Sequence, residues 1–227
     1  MFVIPRVGDV IMSGAWPMHM FHLPMLRVGR YMASPEYLFI KRAVDIIISL
    51  MGLVVLSPLF LITAIAVKSD GGPAFYKQVR LTKDGGQFEI LKFRSMRVNA
   101  AEDSAWSTNS DPRKTRFGSI IRKFSLDELP QFFNVLKGDM SLVGPRPEIP
   151  FHVEHFKEEI PRYLVRQQVR PGLTGWAQIN GLRGDTDIAE RIRYDIWYIE
   201  NWTVALDIKI LFRTVFGGKM VNDEKIQ

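Results

Sequence analysis

Cysteine is absent from the 227-residue chain, which excludes disulfides, a thiol nucleophile and cysteine-ligated metal. Histidine is scarce: His19, His22, His152 and His155 are the whole supply. The spacings His19-x-x-His22 and His152-x-x-His155 suit metal ligation, but only Glu154 stands nearby as a further ligand, too little for a zinc site. The opening residues lack the basic start, compact apolar centre and small-residue cleavage site of a secretory signal. No DNA- or RNA-binding motif is present and the aromatics do not interleave with basic residues, so nucleic acid is not an expected partner. What the chain does have is an excess of basic charge, +6 at neutral pH with a pI near 9.6. That balance points to an anionic partner, either a membrane surface or a phosphorylated substrate.

Three regions follow from the pattern. Residues 1–36 are Met-rich and punctuated by Pro5, Gly8, Gly14, Pro17, Pro24 and Gly29. They read as a loosely structured preamble or as the end of a preceding domain. Residues 37–72 contain a run from Ile46 to Val67 without a charged residue, long enough for a bilayer core, which takes about 20 residues. Ser57-Pro58 interrupts it. The proline removes a helical bond and kinks the segment, and the serine hydroxyl can satisfy the freed backbone. Lys41 and Arg42 precede the run and Lys68, Lys77 and Arg80 follow it. Basic residues at both ends favour a re-entrant helix–break–helix returning to one face over a simple span.

Residues 73–227 read as a catalytic α/β domain. Apolar alternation on either side of Lys83-Asp84-Gly85-Gly86 predicts a β-hairpin. Lys77, Arg80, Lys92, Arg94 and Arg97 make it basic, as a solvated face or as a surface for a headgroup or nucleotide. Residues 99–118 are a polar loop. Helical patterns follow around Ile120, over Phe132–Leu136 closed by Gly138, and over 151–169 broken at Pro161. Asp185-Thr186-Asp187 matches the D-x-D of metal-dependent glycosyltransferases, a three-residue signal of low information. Ile208, Leu211, Phe212 and Val215 form an apolar stripe that suits either the core or a membrane interface.

The centre of interest is Ser125-Leu126-Asp127-Glu128-Leu129-Pro130-Gln131. Its bland reading is a capping box, Ser125 with Glu128 three residues on. Pro130 argues that the carboxylates sit at a junction or kink rather than inside a regular helix. The flanks, with Arg122 before and Gly144-Pro145-Arg146-Pro147 after, are rich in residues that surround an anion. At a helix start a carboxylate stays ionised and can act as a nucleophile, and a phosphate is favoured at the same place.

Several of these stretches occur together and in a familiar order: the kinked apolar helix, Lys92-Phe93-Arg94-Ser95-Met96, the Asp127-Glu128 segment, Gly144-Pro145-Arg146-Pro147, and Arg170-Pro171-Gly172-Leu173-Thr174-Gly175-Trp176. Over roughly residues 38 to 216 the chain closely resembles the bacterial sugar transferases, monotopic phosphoglycosyl transferases acting on polyprenol phosphate. The resemblance implies transfer of a sugar 1-phosphate from a UDP-sugar to undecaprenyl phosphate with release of UMP, at the cytoplasmic face of the bacterial inner membrane. This step initiates surface polysaccharide or glycoconjugate synthesis, usually with Mg²⁺. It implies Asp127 as a nucleophile that forms a phosphosugar–enzyme intermediate, and Glu128 as a metal- or phosphate-organising partner or a base. Arg122 and Arg146 match phosphate-holding arginines, and Arg170 and Gln178 belong to the matching Trp loop. One departure stands out: Leu182 occupies a place where short members carry Arg, and Arg183 follows it. Residues 1–36 resemble the end of the domain that precedes this core in long-form members, and a homo-oligomer is left open. Two rivals stand beside this reading: a metal-dependent glycosyltransferase using Asp185 and Asp187 and releasing UDP, and a non-catalytic membrane scaffold.

Overall fold

The computed structural model describes residues 2–3, 16–20, 23–27, 35–69, 71–97, 115–184 and 186–217, the first three stretches as backbone strands. The chain divides into two compact units, residues 1–38 and 39–227. In the first, β1 (Phe2–Val3), β2 (Trp16–Met20) and β3 (Leu23–Arg27) pair antiparallel in the order β1-β3-β2. Pro17 lies on the edge strand β2, and Pro24 lies beyond the two residues of β3 that β1 covers. At both positions a missing N–H is tolerated.

The second unit begins within α1 (Pro35–Val55), which is followed by α2 (Ser57–Lys68) with a bend of 65° at Leu56. The break has a local cause. Pro58 cannot donate to the carbonyl of Val54, and the Ser57 hydroxyl donates to that oxygen instead at 2.8 Å. Among the described residues no single helix is long and apolar enough to cross a membrane, whereas the bent pair is so by length and composition. The buried residues of α1 are polar, those of α2 are Thr63 and Val67, and both helices turn aliphatic residues outward. Asp45, Ser49 and Thr63 are buried, while Ile47, Leu50, Met51, Val54, Val55, Leu61, Ile62 and Ile65 are 50–73% exposed. Lys41 and Arg42 also turn inward. Lys41 pairs with Asp207 and donates to the Val143 carbonyl. Arg42 donates to the carbonyls of Val135 and Leu136 at 2.6 and 2.7 Å. These two cations tie the helix to its own domain.

The hairpin forms as expected, β4 (Phe75–Leu81) against β5 (Gln87–Phe93). Its basic residues divide. Lys77 is solvated and pairs across the strands with Glu89, whereas Arg80, Lys92 and Arg94 are turned inward. Of the polar loop, residues 98–114 lie outside the described residues. Thr115 then caps α3 (Arg116–Lys123) by accepting from the Gly118 amide. A 3-10 turn over Leu126–Glu128 leads to α4 (Gln131–Lys137), which Gly138 closes at φ +100°. Beyond β6 (Ser141–Val143), α5 (Pro150–Glu159) ends before Pro161 and a 3-10 segment covers Tyr163–Gln168. After β7 (Gly172–Thr174) come α6 (Trp176–Ile179), α7 (Ile188–Glu200) and α8 (Val204–Phe216). On α8, Asp207 and Ile210 face inward, and Ile208, Phe212 and Val215 of the apolar stripe are exposed.

Two apolar clusters frame the site. Val67, Phe93 and Ile121 form one, with Phe60, Leu126 and Leu129 packed against it. Val153, Tyr163, Ile192 and Ile196 form the other. Between them β6 and β7 make a two-stranded parallel sheet that the pattern did not foreshadow. Three-residue strands flanked by glycine and proline are too short to show a period.

Glycine is required where these strands meet. A Cβ on Gly172 would lie 2.1 Å from the Gly144 amide nitrogen and 2.4 Å from the Thr174 carbonyl oxygen. Both contacts are backbone and have nowhere to yield. Gly172→Ala is expected to destabilise the protein by about 1–3 kcal/mol or more, measured by denaturant unfolding in detergent. An unchanged midpoint would show that the two strands are not packed this closely.

Candidate active site

Ser125 adopts a left-handed conformation at φ +55°, and its side chain makes no capping bond to the turn that follows. The capping-box reading of Ser125 and Glu128 is thereby corrected. The junction reading holds, because the two carboxylates sit in a 3-10 turn between α3 and α4. Leu126 and Leu129, three residues apart, turn the same way into the apolar cluster. Asp127 and Glu128 occupy the other sides of this turn.

Glu128 does not cap a helix. Its Oε1 accepts from Lys92 Nζ at 3.1 Å and from Arg146 Nη2 at 2.7 Å. Burial alone would raise its carboxyl, but Arg146 and then Lys92 outweigh burial and hold it well below the usual carboxylate range. Arg146 is strengthened in turn by Glu128. Lys92 shifts down, because burial acts more strongly on it than Glu128 does.

Asp127 stands differently. It is nearly buried, and burial followed by the Glu128 charge pushes its carboxyl up to about 6 against the pull of Lys92, Arg122 and Arg146. A helix-start carboxylate held firmly ionised was the expectation, and the direction is the reverse. Among the described residues the ion pairs of Lys92 and Arg146 are with Glu128, so Asp127 feels these two cations only at longer range.

The expected arginines are brought together unevenly. Arg146 is bonded to Glu128, and the charge of Arg122 acts on Asp127. Arg183 also reaches the group: its guanidinium interacts with Glu128, Arg146 and Asp127, and its Nε is buried without a hydrogen-bond partner. Arg170 is exposed before β7 and makes no bond or ion pair with the carboxylates. Gln178 is buried in α6 with both amide atoms unpaired, its oxygen facing Gly175, and no bond ties it to the pair.

Lys92 appeared in the sequence as part of a basic hairpin and of a matching family stretch, without a role at the site. A signal for it did exist. Residues two apart on a strand share a face, so Lys92 falls on the side of buried Phe88 and Ile90. Asn134 on α4 fixes the register by accepting from the Leu91 amide and donating to the Glu89 carbonyl, at 2.9 and 2.8 Å. This docks α4 on the edge of β5 and sets Lys92 opposite Glu128.

Among the described residues no group of three His, Asp or Glu side chains is arranged to hold a metal. Mg²⁺ asks for less, one or two carboxylates with substrate phosphates completing its shell. Asp127 and the Oε2 of Glu128, which takes neither Lys92 nor Arg146, fit that donor set. The D-x-D alternative fares worse. Asp185 lies outside the described residues, and Asp187 caps α7, its Oδ1 accepting from the amides of Ala189 and Glu190 at 2.8 and 3.2 Å. Of the histidines, His22 lies outside the described residues, and His155 sits near Glu159 on the surface of α5.

Comparison with known proteins gives a consistent result. Residues 36–219 match the family model described as bacterial sugar transferase. The chain is 46% identical over 198 residues to an Aeromonas hydrophila UDP-N-acetylgalactosamine-undecaprenyl-phosphate N-acetylgalactosaminephosphotransferase, covering 86% of this chain and 47% of that protein. It is 43% identical over 213 residues to the UDP-glucose:undecaprenyl-phosphate glucose-1-phosphate transferase of Escherichia coli K12, covering 91% and 44%. A Caulobacter vibrioides protein of that same name is 45% identical over 181 residues, covering 77% of this chain and 68% of the relative. The chain spans about half the length of the first two.

The raised carboxyl has a consequence for stability. Asp127 binds its proton more tightly folded, at about 6, than at its ordinary 3.8. Its ionisation therefore costs the fold stability as pH rises from about 4 to about 6, and the cost persists above that. Asp127→Asn removes the charge. In the protein without divalent metal or substrate it is expected to raise stability by on the order of 1 kcal/mol or more at pH 7.5, with the gain fading below pH 4. Thermal unfolding at the two pH values checks this.

Proposed function

The chain belongs to the bacterial sugar transferase family, and from that premise we propose that it transfers a sugar 1-phosphate from a UDP-sugar to a polyprenol phosphate such as undecaprenyl phosphate, releasing UMP. The observation that carries the proposal is the buried Asp127, pushed up to about 6 and faced by the charges of Lys92, Arg122 and Arg146. Such a carboxylate is ionised at neutral pH yet more basic than an ordinary one, which suits a nucleophile. The surrounding cations suit the diphosphate it must approach.

In the proposed sequence an Asp127 oxygen attacks the phosphorus next to the sugar. The bond from that phosphorus to the bridging oxygen breaks, and the electron pair leaves with UMP. The product is a phosphosugar ester of Asp127. A phosphate oxygen of the polyprenol phosphate then attacks the same phosphorus, which releases the Asp127 carboxylate and leaves a polyprenol diphosphate sugar. Glu128, kept ionised by Lys92 and Arg146, holds those two cations at the diphosphate. Arg146 and Arg183 stabilise the charge that builds on the phosphoryl oxygens. Asp127 and Glu128 would hold Mg²⁺, which when bound screens the repulsion between carboxylate and diphosphate.

The outer surface supports a membrane setting for this reaction. Aliphatic residues turned outward on α1 and α2, over buried polar ones on α1, are the opposite of a soluble core helix. We place the bent pair as a re-entrant anchor at the cytoplasmic face of the bacterial inner membrane. The exposed stripe of α8 adds a second apolar face, and α8 is joined to α1 through the Asp207–Lys41 ion pair. A complete span is unnecessary when the lipid substrate carries its phosphate at the surface.

The relatives' names differ in the sugar, N-acetylgalactosamine in one and glucose or galactose in others, so the test uses a panel. With Mg²⁺, polyprenol phosphate and a set of UDP-sugars in detergent, UMP is the expected product. Asp127→Asn is expected to reduce turnover by about 10³-fold or more. The rate should also fall as pH drops below about 6, where Asp127 takes up its proton. UDP as the product would contradict the proposal.

A further inference from the structure

Apart from the carboxylate site, the structure holds a buried charge network that the reaction itself does not use. Arg166 donates through Nη2 to Asp195 at 2.8 Å and to the Arg146 carbonyl at 2.9 Å, and through Nη1 to Glu148 at 3.3 Å. Arg191 places Nη1 at 3.6 Å from the same Glu148 oxygen. Its Nη2 donates to the Gly184 carbonyl at 2.6 Å and to the Thr186 hydroxyl at 2.9 Å. Two carboxylates meet two guanidiniums, and the side chains of Arg166, Arg191 and Asp195 are each no more than 5% exposed.

A network of this kind is a poor device for stability, since apolar residues of similar size often serve as well or better. What it does supply is geometry. Arg191 and Asp195 are four residues apart on α7 and share a face. Through Arg166 and Glu148 that face holds the backbone at Arg146, and through Arg191 it holds the loop that carries Arg183. Arg183 needs such support, because its buried Nε has no partner to fix it. The next residue, Gly184, turns the chain with φ +66° and hands its carbonyl to Arg191.

We propose that Arg191 is a positioning residue that presents Arg183 to the substrate diphosphate by bracing Gly184 and Thr186 against α7 and Glu148. The role of Arg183 rests on the reaction proposed above, so the test is read first in binding, which needs no turnover. UDP affinity with Mg²⁺ is measured by calorimetry for the wild type, Arg183→Ala, Arg191→Lys and the double variant, each in the full chain. Lysine keeps the charge near Glu148 but lacks the fork that reaches both Gly184 and Thr186. Each single variant is expected to weaken UDP binding by roughly tenfold, and the double variant no more than Arg183→Ala alone. In turnover the Arg191→Lys loss should appear in kcat as well as in the donor KM, and should vanish in the Arg183→Ala background.

Losses that multiply in the double variant would make Arg191 a general structural residue and overturn the proposal. So would an Arg183→Ala or Arg191→Lys protein that binds UDP like the wild type. Thr186→Val keeps all four network charges and carries the same cycle if Arg191→Lys does not fold. It is expected to give a smaller loss that vanishes in the Arg183→Ala background. A wild type that binds UDP but releases no UMP would sink the reaction while leaving the cycle readable.

Discussion

Glu128 is the pivot of this structure because one of its oxygens accepts from both Lys92 and Arg146. Two cations and one carboxylate leave a net positive centre, next to which Asp127 is nearly buried and, among the described residues, has no ion pair of its own. The two neighbours thereby separate in character, Glu128 lowered and Asp127 raised. Adjacent carboxylates pushed apart in this way take different roles. Much of the fold serves that arrangement. Asn134 docks α4 onto β5, Leu126 and Leu129 anchor the 3-10 turn, and Gly172 lets β7 lie against the chain that leads to Arg146.

The same domain carries its apolar surface on the outside. In α1 the polar residues are the ones that bind the protein: Lys41, Arg42 and Asp45 reach Val143, the end of α4 and the start of β6. Asp45 accepts from the Ser141 hydroxyl and the Leu142 amide. A helix that docks by polar contacts keeps its aliphatic side for another apolar medium. The bend at Ser57-Pro58 is built from a single exchanged hydrogen bond, which keeps α2 from continuing along the axis of α1.

Features with a local cause were legible in the sequence. Pro58 breaks the helix, Lys83-Asp84-Gly85-Gly86 turns the hairpin, Gly138 ends α4, and Pro130 keeps Asp127 and Glu128 out of a regular helix. Features made by distant partners were not. Ser125 and Glu128 look like a cap because local spacing cannot show Lys92, 36 residues away, or Arg146, 18 residues away. Asp187 resembled a metal ligand and turned out to cap its own helix. The ties among Glu148, Arg166, Arg191 and Asp195 leave no periodic trace at all. Lys92 lies between these cases, since strand alternation already placed it on the buried face.

In the proposed reaction Asp127 itself carries the sugar phosphate between the two substrates. Intact-mass measurement after incubation with an accepted UDP-sugar and Mg²⁺, without polyprenol phosphate, tests it directly. The expected result is an added mass of one sugar phosphate that maps to Asp127, disappears on adding the lipid, and is absent from Asp127→Asn. UMP release that proceeds only with the lipid present, and no adduct at any time, would contradict it.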